Sequence, residues 1–232
     1  MTDEREETLH DLERRLGYRF ADLGLLDRAL THASRANEEP SPGRGDNEAL
    51  EFLGDAVLEL VVTDLLHRRD PDGAEGLKSQ RRARLVSAPS LAGRAEELGL
   101  GELLLLGRGE EKTGGRQKSA LWANAYEALI AALYLDGGFE AAHRFVRDEF
   151  TGDVEDAAAA AEDAKSALQE LLQGQGRPLP DYRVTAEEGP GHKRWFRIEC
   201  RLVDGLVTEG EGSSKKAAQQ QAAERALDRL RR

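Results

Sequence analysis

The sequence predicts an α + (α+β) protein, in which an all-helical domain is followed by a small α-β-β-β-α domain. Three observations predict this. Apolar residues recur at three- and four-residue spacing from about residue 8 to 145, an acidic, Ala-rich stretch follows, and the spacing then changes to the alternation of strands. We therefore expect a helical domain over residues 1–150, a linker over 151–163 that can be helical in part, and a second domain over 164–232.

The helical part divides into segments that Gly- and Pro-rich stretches separate. The segments are LHDLERRL, LLDRALTHAS, ALEFLGDAVLELVVTDLLHRR, GLKSQRRARLVSAPSLAGRAEELGL and ALWANAYEALIAALYLDGG.

The second domain begins with a short helix, AKSALQELLQGQG, and ends with a long helix that starts near Ser214. Between them lie three strand-like runs, DYRVTAEE, KRWFRIECRLV and LVTEGEG. Cys200 alternates in phase with Phe196, Ile198 and Leu202, so we expect it on the buried face of the second strand.

Composition narrows the functional classes. The single cysteine excludes an internal disulfide and a cysteine-rich zinc site, and it fits a reducing compartment. No apolar run is long enough to span a membrane and the N-terminus is acidic and polar, so we expect a cytoplasmic protein without a membrane partner.

The net charge of −11 is unevenly distributed along the chain. Residues 164–232 hold 13 Lys and Arg against 10 Asp and Glu, whereas residues 1–163 hold 20 against 34. A polyanion is bound through Lys and Arg, so we expect the C-terminal domain to bind it first.

Acids interrupt two otherwise apolar helices. With about 100° of rotation per residue, Glu48, Glu51 and Asp55 share one narrow stripe of the first helix. Asn124 and Glu127 share one face of the second. Solvated helix faces would explain such acids, but these helices are too apolar to lie at the surface, and clustered oxygens are what hard divalent cations require. Mid-helix Gly54 suggests that something approaches the backbone there.

NEALEFLGDAVL closely resembles the signature of bacterial ribonuclease III. The resemblance continues through LGYRF, LLDRALTHAS, the EG at 75–76, LGRGEEKTGG and ANAYEALIAALYLDGG. The C-terminal part resembles a double-stranded-RNA-binding domain in KSALQELLQ, PDYRV, GPGH and GEGSSKKAAQQQAAERAL. The two modules cover nearly the whole chain in the order that the family has them.

This resemblance implies a homodimeric endoribonuclease that cuts double-stranded RNA with Mg²⁺, for which Mn²⁺ can substitute. It implies 5′-phosphate and 3′-hydroxyl ends with short 3′ overhangs, and a role in processing ribosomal and other precursor RNAs. By motif position, the catalytic acids are Glu48, Glu51, Asp55 and Glu127, the metal ligands are Glu51, Asp55, Asn124 and Glu127, and Glu75 is a further cleft acid.

The resemblance also assigns contacts to partners. Phe52 would enter a pocket of the second subunit, against the alternative that it packs within its own chain. The residues that would contact duplex RNA are Gln169, Glu170, His192, Ser214, Lys215 and Lys216. Gln169, Glu170 and His192 would meet minor grooves, and the other three would meet the phosphates between them.

One position departs from the family pattern. The family usually has Asp where this sequence has Asn124, whose amide oxygen can coordinate a metal but carries no charge. The alternative function is therefore a double-stranded-RNA-binding protein with a weakened nuclease site. A helical scaffold with an incidental acidic face does not account for the C-terminal module.

Overall fold

The computed structural model describes residues 2–39, 45–71, 75–162, 164–188 and 194–230, with the side chains of residue 77 and residues 157–162 excepted. The helices are α1 Asp3–Leu16, α2 Leu23–Ala29, α3 Ala33–Glu38, α4 Glu48–Arg69, α5 Glu75–Leu85, α6 Ala88–Glu97, α7 Leu100–Leu103, α8 Arg108–Lys112, α9 Ser119–Glu162, α10 Ala164–Gly174 and α11 Lys215–Leu230, and a 3₁₀ turn covers Gly115–Gln117. The strands are β1 Asp181–Glu188, β2 Trp195–Arg201 and β3 Val207–Gly212.

The segment LLDRALTHAS forms two helices rather than the single helix that its spacing predicts. α2 ends at Ala29 and α3 begins at Ala33. Between them Thr31 forms a parallel β-bridge with Leu105, and the N–H of Leu105 donates to the carbonyl of Leu30 at 2.8 Å. The chain therefore leaves the helix because its backbone pairs with a distant segment.

The helix α9 is longer than its sequence pattern predicts. It is interrupted at Gly138, whose φ of 73° lies in the left-handed region that favours glycine, and it resumes to Glu162. Residues 151–162, which we expect to be a linker, thus continue this helix. The boundaries of the domains stay a prediction.

By its internal contacts the chain forms two compact units, Met1–Asp64 with Arg82–Thr151 and Leu65–Arg81 with Gly152–Arg232. In the first unit, α4 buries Leu50, Val57, Leu58 and Val61. α9 is buried almost continuously from Ala123 to Leu133, with Asn124 and Glu127 as the half-buried exceptions. The predicted site acids are therefore held on helices that contribute buried residues to the core of their unit.

The second unit contains an antiparallel sheet of order β1-β2-β3 with α10 and α11 against its inner face. Phe196, Ile198, Cys200 and Leu202 are all buried, which confirms the predicted phase of the second strand. β3 approaches α11 so closely that a Cβ at Gly210 would lie 2.2 Å from the carbonyl oxygen of Ala218. The predicted α-β-β-β-α order is confirmed.

Throughout the described ranges, the helices are too short or too polar to cross a membrane.

Candidate active site

Backbone hydrogen bonds fix the start of α4. The N–H of Asn47 donates to the carbonyl of Thr31 at 2.9 Å, and the N–H of Glu51 donates to the carbonyl of Asn47 at 2.7 Å. The Asp46 carboxylate accepts the N–H of Glu48 at 3.2 Å and satisfies a donor that the helix leaves free. The first acids of the signature therefore start from an anchored backbone.

Gly54 brings α4 and α9 into backbone contact. A Cβ built on Gly54 would lie 1.8 Å from the carbonyl oxygen of Glu127 and 3.3 Å from the N of Ala131. Only glycine permits this approach, which confirms the expectation that something approaches the backbone at this position. Asp55 follows Gly54 directly, so the crossing places the acids of α4 beside Glu127.

The acids interact strongly with one another. Burial, then the charges of Asp55 and Glu51, raise the pKa of Glu127 to about 7. Burial, then the charge of Glu48, raise the pKa of Glu51, with a smaller contribution from Asp55. A hydrogen bond from Asn124 opposes that rise. The structure thus brings together all five residues that the sequence places at the candidate metal site or beside it, on α4 and α9.

These residues fit a hard divalent cation by their chemistry. Within the described residues, however, no three His, Cys, Asp or Glu side chains converge as a metal-binding group. Glu51 shares a hydrogen bond with Asn124, and burial, followed by the charges of Asp55 and Glu51, raises the pKa of Glu127 to about 7. Both features are expected of crowded carboxylates, and carboxylate and amide oxygens are the ligands that Mg²⁺ accepts.

His32 is a neighbour of the site that the sequence analysis does not single out. Its Nδ1 accepts the N–H of Ser34 at 3.2 Å as the cap of α3, and the same atom lies 2.8 Å from the Ser34 hydroxyl oxygen. A charged His32 would lower the pKa of both Glu51 and Glu110, which places it near each carboxylate. Helical periodicity could not reveal it, because it lies in the break between α2 and α3.

Phe52 and Glu75 are two further predicted site residues. The side chain of Phe52 is 83% exposed, so the alternative that it packs in the core of its own chain is wrong. Glu75 begins α5, and its carboxylate accepts a hydrogen bond from the hydroxyl of Ser79 at 3.1 Å. The roles of both residues stay predictions.

The predicted RNA contacts lie on α10 and at the start of α11. Gln169 is half-buried and Glu170 exposed on α10. Ser214 precedes α11, and its Oγ accepts the N–H of Ala217 at 3.1 Å, so it acts as the helix cap. Lys215 and Lys216 follow it and are exposed, whereas His192 lies outside the described residues.

Comparisons with known proteins match both modules. The family model for Ribonuclease-III-like proteins matches residues 22–154, and that for the double-stranded RNA binding motif matches residues 164–230. Ribonuclease 3 of Bdellovibrio bacteriovorus is 46% identical over 221 residues, which cover 94% of each chain. Ribonuclease 3 of Oleidesulfovibrio alaskensis is 48% identical over 217 residues, which cover 93% of this chain and 94% of that protein.

Solved structures agree for the helical part. The nuclease domain of ribonuclease III from Campylobacter jejuni is 42% identical, with a TM-score of 0.55, and the match covers 61% of this chain and 95% of that one. A second structure of that domain is 43% identical, with a TM-score of 0.54, and the match covers 60% of this chain and 96% of that one. It is described as showing structural flexibility in a region involved in dimer formation.

A helical nuclease domain joined to a duplex-binding module defines an endoribonuclease of double-stranded RNA. More particularly, the chain belongs to the ribonuclease III family, whose members are generally metal-dependent.

Proposed function

We propose that this protein hydrolyses phosphodiester bonds of double-stranded RNA with Mg²⁺, for which Mn²⁺ can substitute. The observation that carries the proposal is the contact of Gly54 with the backbone of Glu127, which joins two sets of acids from distant parts of the chain. A structural salt-bridge network would pair such acids with Lys or Arg. Among the described residues, the charges that act on Glu127 are those of Asp55 and Glu51, and together with burial they raise the pKa of Glu127 to about 7.

We assign the metal to the oxygens of Glu51, Asp55, Asn124 and Glu127. A divalent cation bound there supplies charge for the scissile phosphate and activates water. Glu127 must release its proton before its carboxylate can serve as a ligand. Asn124, which is hydrogen-bonded to Glu51, orients that carboxylate. Glu48 adds negative charge beside Glu51, and Glu75 is the further acid that we propose for the cleft.

We also propose that the protein acts as a homodimer through Phe52. A phenylalanine that is 83% exposed beside a catalytic acid supports burial in a second copy. Each subunit would cut one strand, leaving a 5′ phosphate, a 3′ hydroxyl and a short 3′ overhang.

RNA binding in this proposal belongs to the C-terminal domain, for which we retain the boundaries 164–232. Gln169 and Glu170 face the minor groove together with His192, and Ser214, Lys215 and Lys216 contact phosphates at the positive end of α11. The exposure of both lysines supports this assignment. Ribosomal and other precursor RNAs are the substrates that we propose, in the cytoplasm, a reducing compartment that fits the single cysteine.

Cleavage and binding can be tested separately. Glu127→Gln and Asp55→Asn should each abolish cleavage of an RNA duplex in Mg²⁺ while duplex binding in Ca²⁺ persists, because neither change touches the C-terminal domain. Near-normal cutting by either variant would refute the site. A wild-type protein that binds duplex but does not cut it, and that Asn124→Asp restores, would favour a binding protein with a weakened nuclease site.

A further inference from the structure

Three consecutive glutamines on α11, Gln219, Gln220 and Gln221, bind two different neighbours of the helix. The Oε1 atoms of Gln219 and Gln220 accept hydrogen bonds from the side-chain Nζ and the backbone N of Lys165, at 2.7 and 2.9 Å. The Oε1 of Gln221, which is 3% exposed, accepts the N–H of Glu211 at 2.6 Å. The triplet therefore ties α11 to the start of α10 and to β3.

Lys165 joins the start of α10 to α11 through its backbone and its side chain. It is the second residue of that helix, and Gln220 satisfies its backbone N–H, one of the donors that a helix start leaves free. Its Nζ also lies 4.9 Å from the ring centroid of Tyr182, a distance at which a cation is attracted to the ring. The ammonium group is thus engaged by an amide oxygen and an aromatic ring of its own domain.

Lys165 and Gln219 each lie about one helical turn from a proposed RNA contact. Residues four apart share one face of a helix, so Gln169 follows Lys165 on α10 and Lys215 precedes Gln219 on α11. A-form RNA fixes the separation between a minor groove and the neighbouring phosphates. A rigid link between the two helices would keep Gln169 and Lys215 at the matching separation.

We propose that Lys165 and Gln219 are a positioning pair, which sets the spacing of α10 and α11 for duplex RNA without contacting the RNA. The inference rests on the proposed function of α10 and α11 in RNA binding. A positioning pair can be distinguished from a direct contact between Lys165 and a phosphate. In a direct contact, Gln219 would compete with the RNA for the ammonium group of Lys165, so removing Gln219 would strengthen RNA binding.

The test uses the full chain, with EDTA to prevent cleavage, and a blunt RNA duplex of about 16 base pairs, the length that such a domain spans. Lys165→Met keeps an apolar stem against Tyr182 and removes the donor. Gln219→Met removes the acceptor without a change of charge. We expect each to weaken binding about tenfold, in line with the loss of a charge-assisted hydrogen bond.

The double variant should bind no more weakly than either single one, and Lys165→Arg, which keeps a donor, should restore most of the affinity. Thermal melting of each variant separates positioning from loss of the fold: the affinities should fall while the melting temperature stays within a few degrees. A parallel fall of melting temperature and affinity in all variants would overturn the proposal in favour of a purely structural pair.

Two further outcomes would also overturn it. If Gln219→Met binds as wild type or better, while Lys165→Met lowers the slope of log affinity against log salt by about one, Lys165 contacts a phosphate directly. If neither variant changes binding although Lys216→Ala weakens it, the pair has no role in RNA binding. If Lys216→Ala has no effect either, the proposed RNA contacts on α11 are themselves wrong.

Discussion

Glu127→Gln should make the metal-free protein more stable although it removes a proposed catalytic acid. The folded state holds the proton of Glu127 up to about pH 7, whereas an unfolded chain releases it near 4.5. The stability that the protonated carboxyl contributes is therefore complete below pH 4.5 and is lost as the pH rises through about 7. Above that pH the folded protein contains a crowded, ionised carboxylate, and glutamine removes its charge.

The magnitude follows from the two pKa values. A difference from 4.5 to about 7 corresponds to about 3 kcal/mol at about 1.4 kcal/mol per pH unit. Glu127 is only half-buried, so screening by solvent lowers this to about 1–2 kcal/mol. At pH 5 the unfolded chain has lost most of the proton but the folded protein has not, and the gain in stability from Glu127→Gln should shrink to about half of its full value.

Urea unfolding of wild type and Glu127→Gln in EDTA, at pH 5 and pH 8, measures this gain in the free energy of unfolding directly. Glu7→Gln is the matched control, since it makes the same chemical change at an exposed position of α1 and should show no such pH dependence. Equal stability of wild type and Glu127→Gln at pH 8, or a gain of the same size at pH 5, would show that burial and the neighbouring acids do not raise the pKa of Glu127.

Three other changes test the rest of the site. Gly54→Ala should lower the free energy of unfolding in urea by about 2–3 kcal/mol and reduce cleavage, because the new Cβ would meet the backbone of Glu127. The control is Gly93→Ala, which lies in a helix with open space around it and should not destabilise the protein. In a titration of cleavage rate against Mg²⁺, Asn124→Asp should cleave duplex RNA at a lower Mg²⁺ concentration than wild type, and Asn124→Ala should need a higher one. Identical titration curves for the three proteins would exclude Asn124 as a metal ligand. Phe52→Ala should shift the protein from dimer to monomer in sedimentation velocity with little change in monomer folding, since the side chain is exposed; an unchanged dimer would exclude Phe52 as its anchor.

The sequence predicts best the features that depend on local alternation or on a family motif. β1 occupies the predicted run DYRVTAEE, and Cys200 lies on the predicted face, because a half-buried strand must alternate. The sequence predicts secondary structure less well where a helix ends because its backbone pairs with a segment that is distant in the chain. The break between α2 and α3 depends on Leu105, and no local pattern reports that pairing.

The candidate site shows the same division. Mid-helix Gly54 predicts that something approaches α4, but it does not say that the neighbour is the carbonyl of Glu127. The five oxygen-bearing residues of α4 and α9 follow from the spacing of acids on two apolar helices and from two family motifs. His32 follows only from the folded position of the break between α2 and α3, where it caps α3. The mutual effects of the acids on their pKa values depend on burial and separation, which spacing along a chain does not give.

Asn124 links metal binding to the stability of the helix crossing. Its hydrogen bond favours the ionised form of Glu51, while burial and the charge of Glu48 act against that form. A carboxylate at position 124 would add a negative charge where Asp55 and Glu51 already raise the pKa of Glu127. The amide therefore reduces repulsion in the metal-free protein and leaves less charge to attract a cation. A protein with Asn124 should therefore be more stable without metal, and bind metal more weakly, than one with four carboxylates at the site. An additional negative charge at position 124 would destabilise the metal-free fold but strengthen the binding of a cation.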